Sequence, residues 1–255
     1  MMFVRALLFA FTMAVPTGVY AADAASILKS LDDAINRSED AYFLYEMVDQ
    51  QPGKDVRTLG LEVYMKGDKR LTAFTAPADL AGTKVLILSP TQMYVYLPAF
   101  KKVRRIASHV TEQGFMGTTY TQDLLAVSRY GEHYTPKLAA EDEKTWTLDL
   151  SEKPGGEGPY PKVQIKVRKE DYLPTTIAYY TDKGKHVKTE ERLNYECREQ
   201  SSGPKICAPE TMKLTDHTDN EHWTKLVQKK WTPNGGLRDR IFTRRNLRRD
   251  TRRGR

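Results

Sequence analysis

Hydrophobic and polar positions alternate with a period of two over most of the chain. Leu61, Val63 and Met65 alternate with Glu62, Tyr64 and Lys66. Trp146, Leu148 and Leu150 alternate with Thr147 and Asp149, and Val163, Ile165 and Val167 with Gln164, Lys166 and Arg168. Successive side chains of a strand point to opposite faces, so this pattern predicts strands with one buried face. Thr83 to Leu88, Gln92 to Leu97, Thr176 to Tyr180, His186 to Tyr195, Thr211 to His217 and Trp223 to Trp231 extend the series. Asp182-Lys183-Gly184-Lys185 is a hairpin turn, and turns recur every 8–14 residues or so, the rhythm of an antiparallel sheet or barrel. Two stretches break the period. Ile27, Leu31, Ala34 and Ile35 are spaced for a helix over Ala25 to Arg37, and Leu124 and Leu125 for a short helix over Thr119 to Ser128. The fold class expected is mainly β with a helical cap (α+β).

The first residues change the picture of compartment. Arg5 precedes an apolar run from Ala6 to Val15, Pro16 and Gly18 break it, and Val19-Tyr20-Ala21 offers small residues for cleavage. This reads as a signal peptide over residues 1–21, cut after Ala21, since a membrane span needs about 20 apolar residues. The rest reads as a domain over 22–247 and a basic tail over 248–255, with Glu152 to Pro159 as a loop between strands. In an oxidising compartment Cys197 and Cys207, flanking a Ser-Ser-Gly-Pro turn, are expected to staple neighbouring strands as a disulfide. A metal or redox pair is the alternative, without CxxC spacing or an adjacent histidine to support it.

Charge is lopsided. The nine arginines from Arg238 onward, set against Asp239 and Asp250, amount to +7, the formal charge of the whole chain. Arg244, Arg245, Arg248, Arg249, Arg252 and Arg253 are therefore candidates for contact with an anionic membrane or an acidic partner. A solvated tail without a partner is the other reading, and export argues against nucleic acid.

Candidate chemistry is sparse. The chain has no GxSxG and no HExxH, and its five histidines do not form a common zinc motif. Asp216, His217 and Asp219 could ligate a metal, or form a polar loop. No catalytic residue, metal or cofactor is expected. What remains is apolar surface. Tyr94 and Tyr96 share one face of a strand, and Met93, Val95 and Leu97 the other. Met65, Met93, Phe115 and Met116 supply adaptable side chains. Periodicity alone leaves two readings open, a packed sandwich core and a ligand cavity.

The stretch from Gln92 to Ile106, with Tyr-Leu-Pro running into Val-Arg-Arg-Ile, resembles a segment of the bacterial outer-membrane lipoprotein-sorting proteins (the LolA/LolB-like periplasmic carriers). Gly114-Phe115-Met116-Gly117-Thr118-Thr119-Tyr120-Thr121-Gln122-Asp123-Leu124 resembles their lid motif, with Gln122 where an acid is common. Asp171-Tyr172-Leu173-Pro174 with Tyr179-Tyr180 and Gly184 resembles a following hairpin. Pro209, Met212, His222-Trp223-Thr224 and Asp239 to Thr243 with Leu247 resemble the last strands. The resemblance implies a half-open antiparallel β-barrel covered by an N-terminal helix and a mid-chain helical lid, with an apolar cavity for acyl chains. Met65, Met93, Tyr94, Val95, Tyr96, Leu97, Phe115, Met116, Tyr120 and Leu124 are the candidate ligand-binding residues, with the inward face of Gln92 to Leu97 undecided. It implies a monomeric, non-enzymatic periplasmic carrier of an acylated lipoprotein or lipid toward the outer membrane, working with an RND/MMPL-type inner-membrane exporter. A lipid sensor or adaptor of the same fold is the alternative, and an exported hydrolase a more remote one. The chain departs from the standard carrier outside these motifs and in its arginine-rich end.

Overall fold

A computed structural model describes residues 23–89, 91–106, 114–121, 124–125 and 129–249. The signal segment through Ala21, half of the expected helix over Thr119 to Ser128, and Arg252 and Arg253 lie outside these residues, as does the side chain of Phe115.

Among the described residues thirteen strands form one antiparallel sheet. The strands are β1 (Asp40–Gln50), β2 (Arg57–Lys66), β3 (Lys69–Ala76), β4 (Lys84–Ser89), β5 (Gln92–Leu97) and β6 (Lys102–Arg105). After a connecting segment come β7 (Tyr134–Glu141), β8 (Thr145–Glu152), β9 (Lys162–Arg168), β10 (Pro174–Tyr180), β11 (His186–Arg198), β12 (Ile206–Asp216) and β13 (His222–Pro233). The order across the sheet is β6-β5-β4-β3-β2-β1-β13-β12-β11-β10-β9-β8-β7. The chain thus meanders from β1 out to one edge, passes to the other edge, and meanders back until β13 pairs with β1. The edges β6 and β7 are not paired with each other, which makes this a half-open barrel.

Helix α1 (Ala24–Ile35) covers one face, here called inner. Ile27, Leu28, Leu31 and Ala34 lie on one side of it and are buried, whereas Lys29 and Asp33 are exposed and paired to each other at 2.5 Å. Asp32 holds the helix in place. Its carboxylate accepts the backbone N–H groups of Tyr130 and Gly131 at 2.8 and 2.7 Å, capping a helical turn just ahead of β7. The inner core joins α1 to alternate residues of most strands, among them Phe43, Tyr45, Leu61, Ile87, Leu148, Ile165, Leu214 and Trp231.

The outer face carries a second core. After β13 the chain turns where Asp40 accepts from the amides of Gly235 and Leu237, at 2.8 and 2.9 Å. Leu237, Ile241, Phe242 and Leu247 then pack on Tyr42, Tyr64, Leu71 and Leu86. The segment Asp239 to Thr243, expected from the resemblance to form a last strand, is a 3-10 turn over Asp239–Ile241, and a second turn spans Asn246–Arg248. The arginine-rich end is also not a free tail up to Arg249: Leu247 has 0% exposure, and Lys84 donates to the carbonyl of Arg249. The arginines mask an apolar spacing that buries the segment while its charges face outward.

Cys197 and Cys207 are disulfide-bonded and directly opposite in the β11–β12 register, as the turn between them led us to expect. No helix among the described residues is long and apolar enough to cross a membrane.

Candidate functional site

Between the inner face and its cover lies a cavity of about 240 Å³. The register shows how strands supply its wall. Phe43 of β1 sits opposite Val63 of β2 and Trp231 of β13. Val63 sits opposite Thr72, and Thr72 opposite Val85. Because neighbouring residues in a register share a face, these five line one continuous wall. The rings of Phe43 and Tyr45 stack at 5.1 Å, and those of Phe43 and Trp231 at 6.3 Å. Ile35 of α1 and Leu124 and Leu125 of the β6–β7 connection close over it.

The expected residues divide across the two faces. Met65, Tyr120 and Leu124 line the cavity. Met93 is buried in the inner core, and Val95 and Met116 pack against that core, none of them at the cavity surface. Leu97 shares their strand face and is half-buried, also away from the cavity. Tyr94 and Tyr96 are corrected: they belong to the outer face, against the C-terminal segment. The guanidinium of Arg244 stacks over the Tyr94 ring at 4.9 Å. Tyr94 pairs in register with Leu86, itself fully buried in the outer core, which fixes the face.

Cavity residues that sequence reasoning missed come chiefly from β1, β11 and β12, with Arg70 and Thr72 from β3. Phe43, Tyr45 and Met47 sit in a strand whose two buried faces erase alternation. Arg70, Glu190 and Arg192 are charged residues on the inner face, where a charge pattern gives no hint of burial. Arg192 Nε donates to Glu190 Oε1 at 2.6 Å. Burial works against the charge of Arg192, but Glu190 and neighbouring tyrosines outweigh it and keep its pKa well above the ordinary value. Arg70 is held lower, at about 10, by burial. Burial likewise raises Tyr130 to about 12, and Tyr45, Tyr120 and Tyr179 higher still, so their hydroxyls stay neutral. The cavity is therefore apolar in its walls, with one polar cluster.

The segment Gly114 to Thr121 is pinned at the end of the sheet. Thr119 N–H donates to Thr224 Oγ1 at 2.9 Å and its hydroxyl to the Leu214 carbonyl at 3.0 Å. Lys188 Nζ donates to the Thr119 carbonyl at 2.7 Å, Gln51 to that of Gly117 at 2.7 Å, and Arg57 to that of Met116 at 2.5 Å. A Cβ on Gly114 would fall 2.1 Å from the Thr118 carbonyl oxygen, so only glycine allows this loop. Beneath it Asp49 is buried and accepts from His222 Nε2 at 2.9 Å and Thr224 at 2.7 Å. His217 does not join Asp216 and Asp219 in a metal site. It contacts Thr189 and Glu221, and no group of three metal-capable side chains occurs among the described residues. The cavity's apolar walls can exclude water from a ligand, with Arg70, Glu190 and Arg192 as charged groups among them.

A family model described only as that of an uncharacterized protein matches residues 66–249. No curated protein matches the chain. Among solved structures, a protein domain from Vibrio parahaemolyticus described as outer membrane lipoprotein-sorting superposes with a TM-score of 0.77 at 23% identity, covering 89% of this chain and 98% of that one. A DUF1329 family protein from Desulfovibrio piger gives 0.79 at 25% identity, covering 88% and 97%. A LolA superfamily protein from Nitrosomonas europaea gives 0.71 at 19% identity, covering 88% and 99%.

Proposed function

Since the chain belongs to the family whose model spans residues 66–249 and has the fold of the lipoprotein-sorting proteins, we propose that it is a periplasmic carrier of acyl chains. Export with cleavage after Ala21 is part of this reading, and a disulfide between adjacent strands fits an exported protein. The observation that carries the reading is the apolar cavity between the inner face and the β6–β7 connection. Each methylene removed from water contributes about 0.8 kcal/mol. A long acyl chain gains enough by burial alone to bind without chemical catalysis, and release then needs only the cover to move. The cover is built for that: the connection is pinned at Thr119 by hydrogen bonds, while Leu124 and Leu125 touch the cavity only through apolar contact. The cargo is an acylated lipoprotein or lipid, handed over by an inner-membrane exporter of the RND/MMPL type. Arg244, Arg245, Arg248 and Arg249 lie exposed on the outer face, away from the cavity, and are suited to rest against an anionic membrane while the cavity loads.

The test places one charge on each face. Met65→Glu puts a carboxylate in the cavity wall, and Tyr96→Glu puts it on the outer face. We expect wild type and Tyr96→Glu to bind a fluorescent fatty acid and Met65→Glu to stay folded but bind at least tenfold less. Equal binding by Met65→Glu and wild type, or none by wild type, contradicts the carrier reading.

A further inference from the structure

The cavity contains one more positive charge than an acyl chain requires. Arg70 stands on the inner face of β3, opposite Met65 on one side and Ile87 on the other, both cavity residues. Its Nη1 is sealed from solvent and has no hydrogen-bond partner. Proteins seldom bury a guanidinium without an acceptor, because the charge loses its hydration and gains nothing in return. Arg192 shows the usual solution in the same cavity: its charge is matched by Glu190 at 2.6 Å. Arg70 has no such acid. Asp68, whose charge favours that of Arg70, belongs to the exposed β2–β3 turn. With Glu190 balancing Arg192, the guanidinium of Arg70 leaves the cavity one net positive charge.

A second polar atom is unspent. The Tyr120 hydroxyl, from the β6–β7 connection, is buried in the cavity wall and also lacks a partner. Arg70, Arg192 and Tyr120 all line this one cavity. The unpartnered Nη1 of Arg70 and the unpartnered hydroxyl of Tyr120 can both donate. They call for one acceptor group of negative charge, with apolar matter beside it.

Resting on the carrier reading and sharpening it, we propose that the ligand is an amphiphile with one anionic head group, seated on Arg70 and Tyr120, with its acyl chain along Phe43, Val63 and Trp231. An uncharged acyl chain fills the walls equally well but leaves both donors unmatched. A carboxylate or a phosphate monoanion supplies the oxygen acceptors and cancels the net charge. Charge-assisted hydrogen bonds of this kind are the strong ones, and arginine suits both head groups.

The experiment titrates the intact protein with three ligands of one chain length, palmitate, palmitoyl-lysophosphatidylglycerol and the uncharged monopalmitin, by displacement of a neutral fluorescent acyl probe. We expect at least one anionic ligand to bind ten times or more tighter than monopalmitin, and which of the two does so identifies a carboxylate or a phosphate as the head group. Arg70→Gln should abolish that preference, read as the ratio of anionic to monopalmitin affinity, and not lower the melting temperature. Tyr120→Phe should cut the anionic preference partially, and it serves as the readout should Arg70→Gln fail to fold. Equal affinity for monopalmitin and both anions in the wild type overturns the proposal and leaves the carrier reading standing, as does a preference that survives both substitutions. Failure of the probe and all three ligands to bind overturns both.

Discussion

At the scale of single residues, charge decides what the inner face can do. The lid anchor relies on Lys188, which donates to Thr119 and pairs with Asp216 at 3.3 Å. Burial opposes the charge of Asp216, yet the hydroxyl and amide of Thr218 and the Lys188 ammonium outweigh it. Its pKa lies below the ordinary 3.8. A carboxyl lowered on folding contributes stability above its unfolded pKa and loses it as pH falls through the folded value. We therefore expect the melting temperature to drop as pH falls below about 4, and Asp216→Asn to flatten part of that drop. Superimposable pH profiles for the two proteins would contradict this. The same scale shows a limit of sequence. Met93 and Val95 could not be told from Tyr94 and Tyr96 by pattern, since both faces of β5 are covered, one by the inner core and one by the C-terminal segment. Arg70 was invisible for a related reason: a basic residue in a strand is normally a solvated one.

At the scale of elements, half-buried strands such as β8 and β9 were legible because a single wet face preserves alternation. β1, β3, β6 and β7 were not. Burial on both sides makes β1 nearly continuous in apolar residues, and β6 reads as Lys-Val-Arg-Arg because edge strands are defended by charge. β7 is the other edge, largely exposed and carrying Pro136. The C-terminal segment was read by its charge, and its spacing of Leu237, Ile241, Phe242 and Leu247 went unused. Truncation after Phe242 removes Leu247 from a fully buried position, where losing a leucine side chain costs about 2–5 kcal/mol. Urea unfolding should shift to a lower midpoint; an unchanged midpoint would restore the free-tail reading. By contrast, replacing Arg244, Arg245, Arg248 and Arg249 with glutamine should preserve the fold. It should also weaken binding to vesicles containing anionic lipid at low salt, each near-surface arginine contributing up to ~1 kcal/mol. Equal vesicle binding would remove the membrane role.

At the scale of the whole molecule, the topology explains why a cavity exists at all. A closed barrel of this strand number would be wide, and a flat sheet would expose its apolar face. Here the sheet curves without joining β6 to β7, and α1 with the β6–β7 connection covers the inner face. The cover lies in the segment that joins the two open edges, so opening the cavity leaves the strand ladder untouched. The half-open barrel was legible through the Gln92 to Leu124 resemblance, while the location of the cavity needed the register, which no period of two can supply. The central claim is that this cavity holds an acyl ligand. The most direct measurement is native mass spectrometry of the protein gently extracted from its own envelope. We expect a folded monomer carrying one added mass that dissociates as an acyl-containing species on collisional activation, and that is missing from Met65→Glu prepared in parallel. A bare polypeptide mass for the wild type, unchanged after incubation with acyl amphiphiles, would contradict it.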